Sequence, residues 1–312
     1  MNPSPKPSSL SSPKPAAHPM SKHTAQDNLR WFAVLVLPGL LLLAVFTYWP
    51  ILFTFGVSFT DWNMIRPEKH LVGLKNYQEL LTSPVFYQVL GNTLVFAFFT
   101  VFIRLGLSLL LAVLLFQNIR FKTFFRTIIF LPFVTSTAVA AIVWLFVLDP
   151  YFGVFKVFFD LLGQKSPVWV SDPNWAMPAI IMVAIWKSVG FSTVIYLAAL
   201  SNINPELQEA ARIDGASEWQ VFRRITLPLL GPVTLFLVIT GIIHTMQSFE
   251  IPSIMTQGGP LSATNIYVLH LYELAFQRFR AGYASALACV FFVIILALTL
   301  INLHLSKRWV HY

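Results

Sequence analysis

The sequence predicts an all-α integral membrane protein with six transmembrane helices, and three observations carry that prediction. Of 312 residues, 56% are hydrophobic and only 11% charged, against roughly 25% charged in soluble globular domains. Mean hydropathy is +0.69, and 29 Phe with 9 Trp add apolar surface that so few charges cannot cover in water. Six stretches, about 31–59, 90–116, 124–148, 176–200, 229–251 and 284–305, reach the roughly 20 residues a helix needs to cross hydrocarbon.

Taken in order, residues 1–29 carry Pro3, Pro5, Pro7, Pro13, Pro15 and Pro19 among Ser and Lys without an apolar run, and read as a disordered tail. The stretch from Trp31 is about twice a signal-peptide core and no small-residue cleavage site follows it closely, so it is expected as an uncleaved first span. Twelve Lys and Arg fall in the tail, the 117–126 turn, the 201–227 loop and the C-terminus, against seven in the opposite loops. The positive-inside rule then puts both termini in the cytoplasm. The outer loops, about 60–89, 149–175 and 252–283, are too small for independent domains. Net charge +8 lies mainly between apolar segments, where it sets topology, so nucleic acid is not an expected partner. A single cysteine, Cys289, excludes intrachain disulfides and Cys-based zinc sites. No GxxxxGK[ST], HExxH or GxSxG occurs, so the common routes to ATP hydrolysis, metalloproteolysis and acyl transfer are missing, and no cofactor is expected on this chain.

The loop between spans four and five is rich in helix punctuation. Asn204 suits an N-cap with Pro205 at N1, and Glu206 and Glu209 sit in the opening turns, where the helix dipole favours anions. Gly215, after Asp214, suits the left-handed position that ends such a helix. Ser217 with Gln220 forms a capping box that opens a second helix running to Pro228. Ala210 and Ala211 leave the first helix nearly flat, shaped to enter another protein's groove. An ordinary hairpin joining two spans fits the same residues.

Glu209-Ala210-Ala211, Gly215, and then Ile225-Thr226-Leu227-Pro228 at their spacing resemble the EAA motif of permease subunits of binding-protein-dependent ABC importers. The resemblance covers about residues 31–308 and points to the sugar and glycerol-3-phosphate permeases, to the partner that precedes the shorter subunit in a heterodimer. It includes Gly73-Leu74-Lys75-Asn76-Tyr77, Asn92-Thr93, Phe125 through Pro132, and Thr256-Gln257-Gly258-Gly259-Pro260. It implies a type I ABC importer permease fold over residues 30–308, with residues 201–228 as the coupling loop. Glu209, Ala210, Ala211, Asp214, Gly215 and Ala216 would there meet the ATPase. The implied partners are a second permease subunit, two ATP-binding subunits that hold ATP and Mg, a periplasmic or lipid-anchored solute-binding protein, and the lipid of a bacterial inner membrane. The large outer domain of some maltose permeases has no counterpart in the short outer loops, and the tail matches nothing in the family.

Ionisable groups inside spans mark pathways or buried pairs. Arg104, near the middle of span two, shares a face with Thr100 and Ser108; it either lines a pathway or is a buried or snorkelling arginine. Lys187 follows Trp186 in span four, where the resembling family often has a polar residue, which favours a structural role. Span five carries Thr240, His244, Gln247 and Ser248 on one face, with Glu250 near its outer end. That face suits a hydroxylated solute or a polar seam between helices. His244 lacks a second metal ligand at suitable spacing.

The expected function is a non-catalytic permease subunit that imports a carbohydrate or polyol-like solute by alternating access. A phosphorylated solute would need cations such as Arg104 and Lys187; a neutral sugar would need aromatic platforms. The rivals are an autonomous secondary transporter or channel, and a membrane enzyme built on Arg104, Lys187 and His244. The purified chain, reconstituted alone in liposomes, is expected to hydrolyse no ATP and move no solute; phosphate release above that of protein-free liposomes would contradict this.

Overall fold

A computed structural model describes residues 22–117 and 120–306, with side chains over 30–117 and 120–304. Among these, every regular element is helical apart from an isolated bridge between Thr60 and Leu71. The chain divides into two compact units, Met1–Phe53 and Thr54–Tyr312. In the first, α1 (Lys22–Leu43) opens inside the stretch expected as a tail, so residues 22–29 are helical, while 1–21 lie outside the described residues. A π-helical turn at Ala44–Tyr48 leads into α2 (Trp49–Val57), and Arg30–Val57 is long and apolar enough to span.

The second unit continues with α3 (Lys75–Thr82) and α4 (Pro84–Phe116). Ser83 holds the N-cap position of α4 without a side-chain capping bond and Pro84 stands at its start, so the second span begins six residues before the expected 90. Next come α5 (Lys122–Val134), α6 (Thr137–Val147) and the short amphipathic α7 (Val154–Leu161). Asp172 caps α8 (Pro173–Ser201) by accepting from Asn174 N at 2.8 Å. The loop that follows holds α9 (Pro205–Ile213), α10 (Glu218–Val221), a π turn at Phe222–Thr226 and α11 (Leu227–Leu229). The chain ends through α12 (Gly231–Met246), α13 (Glu250–Met255), α14 (Tyr267–Tyr272), a π turn at Glu273–Gln277 and α15 (Ala281–Ser306).

Among the described residues, five helical stretches can each cross a membrane, and α5 with α6 adds a sixth if that bent pair counts as one span. The expected continuous third span over 124–148 is therefore corrected: α5 and α6 meet at 103°. Thr135 and Ser136 are extended there. The freed carbonyls at the end of α5 find side-chain donors, Thr135 Oγ1 to Pro132 O at 2.7 Å and Lys187 Nζ to Phe133 O at 2.8 Å. Non-helical backbone at membrane depth survives only where such partners exist. The expected fifth span over 229–251 corresponds to Gly231–Met255, which is long and apolar enough to cross, with a short break between Met246, where α12 ends, and Glu250, where α13 begins.

Helix α8 packs against both α4 and α5. Ser108 of α4 donates to Val189 O at 3.0 Å. Gly190 lies so close to α5 that a Cβ there would overlap the Ile129 carbonyl. One apolar cluster joins Ala141 of α6, Ile180 and Val183 of α8, and Ile251 of α13. A second joins Leu80, Val89, Tyr267 and Leu287, and a third joins Val101, Tyr196, Leu197, Leu230 and Leu237. The loops at the Pro84 end of α4 are pinned by polar side chains from the sequence motifs. Asn76 donates to Ser58 O and Thr60 O at 2.8 and 2.9 Å, and Asn92 to Ser262 O and Asn265 O at 2.8 and 3.0 Å. Thr93 Oγ1 accepts from Tyr267 N at 2.9 Å, and Arg280 grips Glu79 with Nη2 at 2.7 and 2.8 Å.

Gly190→Ala is expected to lower the melting temperature of the detergent-purified chain, since the clash is with backbone and overpacking costs about 1–3 kcal/mol. Gly91→Ala, where a Cβ would meet no atom within 4 Å, serves as the comparison and should be neutral or mildly stabilising.

Candidate functional site

Two features emerge from this architecture, a cavity between spans and an exposed loop at the far end of α8. The cavity holds about 330 Å³, at the low end of volumes that accept small solutes. Arg104 and Thr100 enter it from α4, Lys187 and Ser188 from α8, and Thr240, His244, Thr245 and Ser248 from α12 and its end. Phe133 and Phe191, stacked at 4.9 Å and 24°, with Phe96 and Phe236, form its apolar walls. Arg104, Lys187, His244 and Ser248, far apart in the sequence, are thus brought together. Gln247 and Glu250 are exposed and do not line the cavity. Gln247 is the C-cap of α12; the hydroxyl one residue on, Ser248, four residues after His244, lines the cavity in its place. Thr245 and the four Phe were not singled out from the sequence, because Phe is too common in this chain to carry a signal.

Inside the cavity most hydroxyls are already used within their helices. Thr240 donates to Phe236 O, Thr245 to Gly241 O and Ser188 to Ala184 O, at 2.7, 2.7 and 2.6 Å. Lys187 holds the end of α5 through Phe133 O, a cation at a helix C-terminus where the dipole favours it. Arg104 is 6% exposed and its Nη2 donates to Leu237 O at 3.2 Å.

The loop is built as its punctuation requires. Asn204 accepts from Glu206 N at 3.1 Å. Gly215 stands at φ +85°, with Gly215 N bonded to Arg212 O at 3.0 Å and Ala216 N to Ala211 O at 2.9 Å. These two bonds form a complete Schellman motif, so Ala211, Asp214, Gly215 and Ala216 share one turn. Ser217 and Gln220 close the capping box. Arg212 clamps Glu218 at 2.7 and 3.1 Å across the turn and thereby holds the Glu218 carboxyl below its ordinary pKa. The second helix does not end at Pro228 as expected. A π turn, in which Leu227 N bonds to Phe222 O, carries the helix through the proline to Leu230.

Glu209, Ala210, Asp214 and Gly215 are exposed, Ala211 and Ala216 half-buried. Two neighbours the sequence reading passed over stand out more: Ile213 is 86% exposed and Trp219 66%. The available signal was that neither fits an amphipathic helix facing its own spans.

The chain matches the family described as binding-protein-dependent transport system inner membrane component over residues 104–311. It is 36% identical over 283 residues to a probable ABC transporter permease of Pyrococcus horikoshii, covering 90% of this chain and 97% of that protein. It is 30% identical over 282 residues to the sn-glycerol-3-phosphate transport system permease UgpA of Pectobacterium atrosepticum, covering 89% and 95%. A chain in the crystal structure of a bacterial ABC transporter involved in the import of the acidic polysaccharide alginate superposes with a TM-score of 0.79 at 27% identity, covering 92% of this chain and 98% of that one. A second crystal structure, of bacterial alginate ABC transporter with an alginate pentasaccharide-bound periplasmic protein, gives 0.80 at 26%, covering 92% and 96%.

Lys187→Met leaves the Phe133 carbonyl without its donor in apolar surroundings, and is expected to destabilise the α5–α8 packing by about 1–3 kcal/mol. The measurement is thermal unfolding in nanodiscs; Lys187→Arg, which keeps a donor, should recover much of the loss.

Proposed function

Since this chain belongs to the binding-protein-dependent transport system inner membrane component family and is a permease subunit of an ABC importer, we propose that it carries a carbohydrate or polyol-like solute across a bacterial inner membrane. Relatives whose names specify sn-glycerol 3-phosphate and alginate support that solute class. The polar cavity between α4, α8 and α12 serves as a segment of the pathway, with Arg104, Lys187, His244 and Ser248 along it. Gln247 and Glu250, on the exposed side of the α12–α13 break, would meet solute or the second permease subunit only outside this cavity.

Residues 201–228 dock on a separate ATPase, which holds ATP and Mg. The observation that carries this reading is the exposed pair Ile213 and Trp219, on a turn whose Schellman motif and Arg212–Glu218 clamp fix its shape before any partner arrives. With this loop in the cytoplasm, both termini share that side, in keeping with the excess of Lys and Arg there. The complex would comprise this chain, a second permease, two ATPase subunits and an extracytoplasmic binding protein. ATP binding closes the ATPase pair, the loop moves with it, and the spans exchange inward for outward opening. An autonomous transporter would have no use for a rigid apolar knob on its cytoplasmic face.

Two variants test the docking. Ile213→Asp puts a charge into the contact at the last residue of α9 while leaving Gly215 in place, and Gly215→Val strains the turn by roughly 1–2 kcal/mol although a Cβ there would meet no atom within 4 Å. Both are expected to reach the membrane at normal levels, while ATPase co-purification and binding-protein-stimulated ATP hydrolysis fall about ten-fold or more for Ile213→Asp, the cost of losing a buried interface anchor. Wild-type stimulation by both variants would reduce the loop to a connector.

A further inference from the structure

We propose that the transported solute is an anion, a sugar acid or a phosphorylated polyol, and that Arg104 reads its charge; this rests on the cavity being part of the pathway. The Arg104 guanidinium is buried midway along a span, yet no carboxylate lines the cavity among the described residues. Its one hydrogen bond goes to the Leu237 carbonyl, and its Nε has no partner. A guanidinium carries five donors. A buried charge without a counter-ion is costly, and a ligand carboxylate or phosphate would supply both the charge and the missing acceptors.

Three further observations fit an arriving anion better than a structural arginine. Thr100 Oγ1, one turn before Arg104 on the same face and also lining the cavity, is buried without a partner. Gly241 is the seat of the guanidinium: a Cβ there would overlap Arg104 Nη2 and lie 3.2 Å from Cζ, so the absence of a side chain on α12 holds the charge at the wall. Lys187 adds a second cation from α8. Among the described residues no carboxylate lines the cavity beside it. The Phe133–Phe191 stack then offers a face for a sugar ring while the acid group turns toward α4 and α12.

The test uses the complete complex in nanodiscs, with its partner permease and ATPase, and four probes at matched concentrations: glucuronate, sn-glycerol 3-phosphate, glucose and glycerol. Thermal stabilisation of the complex is titrated against each probe. Glucuronate or sn-glycerol 3-phosphate is expected to stabilise it and the neutral probes to do so much less. Arg104→Gln should weaken the anion effect about ten-fold or more, the order expected for losing a charge-assisted hydrogen bond. Gly241→Ala, which keeps the charge but pushes the guanidinium off its seat, should weaken it too. Because Arg104→Gln removes an uncompensated buried charge, the probe-free complex should melt no lower than wild type; a lower melting point with the anion effect retained would identify Arg104 as helix glue and overturn the proposal. No stabilisation by either anion, or equal stabilisation by the neutral probes, overturns it as well. Binding-protein-stimulated ATP hydrolysis is measured on the same samples. If it persists while the anion effect is missing, only this proposal falls; if it is absent, the permease reading falls with it.

Discussion

Hydrocarbon offers the backbone no hydrogen-bond partner, and that constraint governs where this chain can be irregular. Most of each span is unbroken helix for that reason. The departure at the end of α5 is answered from within the protein. At the end of α5 the carbonyls of Pro132 and Phe133 are taken by Thr135 Oγ1 and Lys187 Nζ. Lys187 is therefore first an end-piece for a half-helix and only then a wall of the cavity. Its position directly after Trp186, which packs edge-on against Trp144 of α6 at 5.4 Å, lets one stretch of α8 support both halves of the bent pair.

The break in turn makes space. An unbroken helix over 124–148 would have continued along α8 past Phe133; instead the chain turns by 103°, and Phe133 and Phe191 become walls of an opening that α4 and α12 complete. The same economy of small residues that brings α5 onto α8 at Gly190 brings Arg104 onto α12 at Gly241. In the first case the missing Cβ admits a backbone, in the second a charged side chain. Close approach and polar furnishing of the interior thus have a common cause.

The loop after α8 obeys different physics, because water can satisfy its backbone. There the turn is held by local rules: an Asn204 cap, a left-handed glycine, a capping box and an exposed ion pair that contributes little to stability by itself but sets the angle between α9 and α10. Ile213 and Trp219 can stay exposed on such a frame without collapsing onto the spans. At the opposite ends of the helices, Asn76 on α3 and Asn92 on α4 do the corresponding work with two amide bonds each to loop carbonyls.

Composition, span lengths and the punctuation of residues 204–220 were legible in the sequence because each depends on near neighbours: apolar content on the solvent, caps and turns on residues three to five apart. The family resemblance, which rests on the same local spacing, was legible too. What a linear reading could not supply was anything set by contact between distant residues. The bend after Pro132 depends on a lysine more than fifty residues later, so 124–148 looked like one span. Gln247 shares a face with His244 on helical periodicity, yet whether a side chain on that face reaches the cavity depends on the helices opposite, and only Thr240, His244 and Ser248 of the four do. Arg104 stayed ambiguous between pathway and buried pair, since a sequence shows a charge but not whether a counter-charge lies beside it. In the fold, α12 reaches it with a glycine and a carbonyl, and no carboxylate among the described residues lines the cavity beside it.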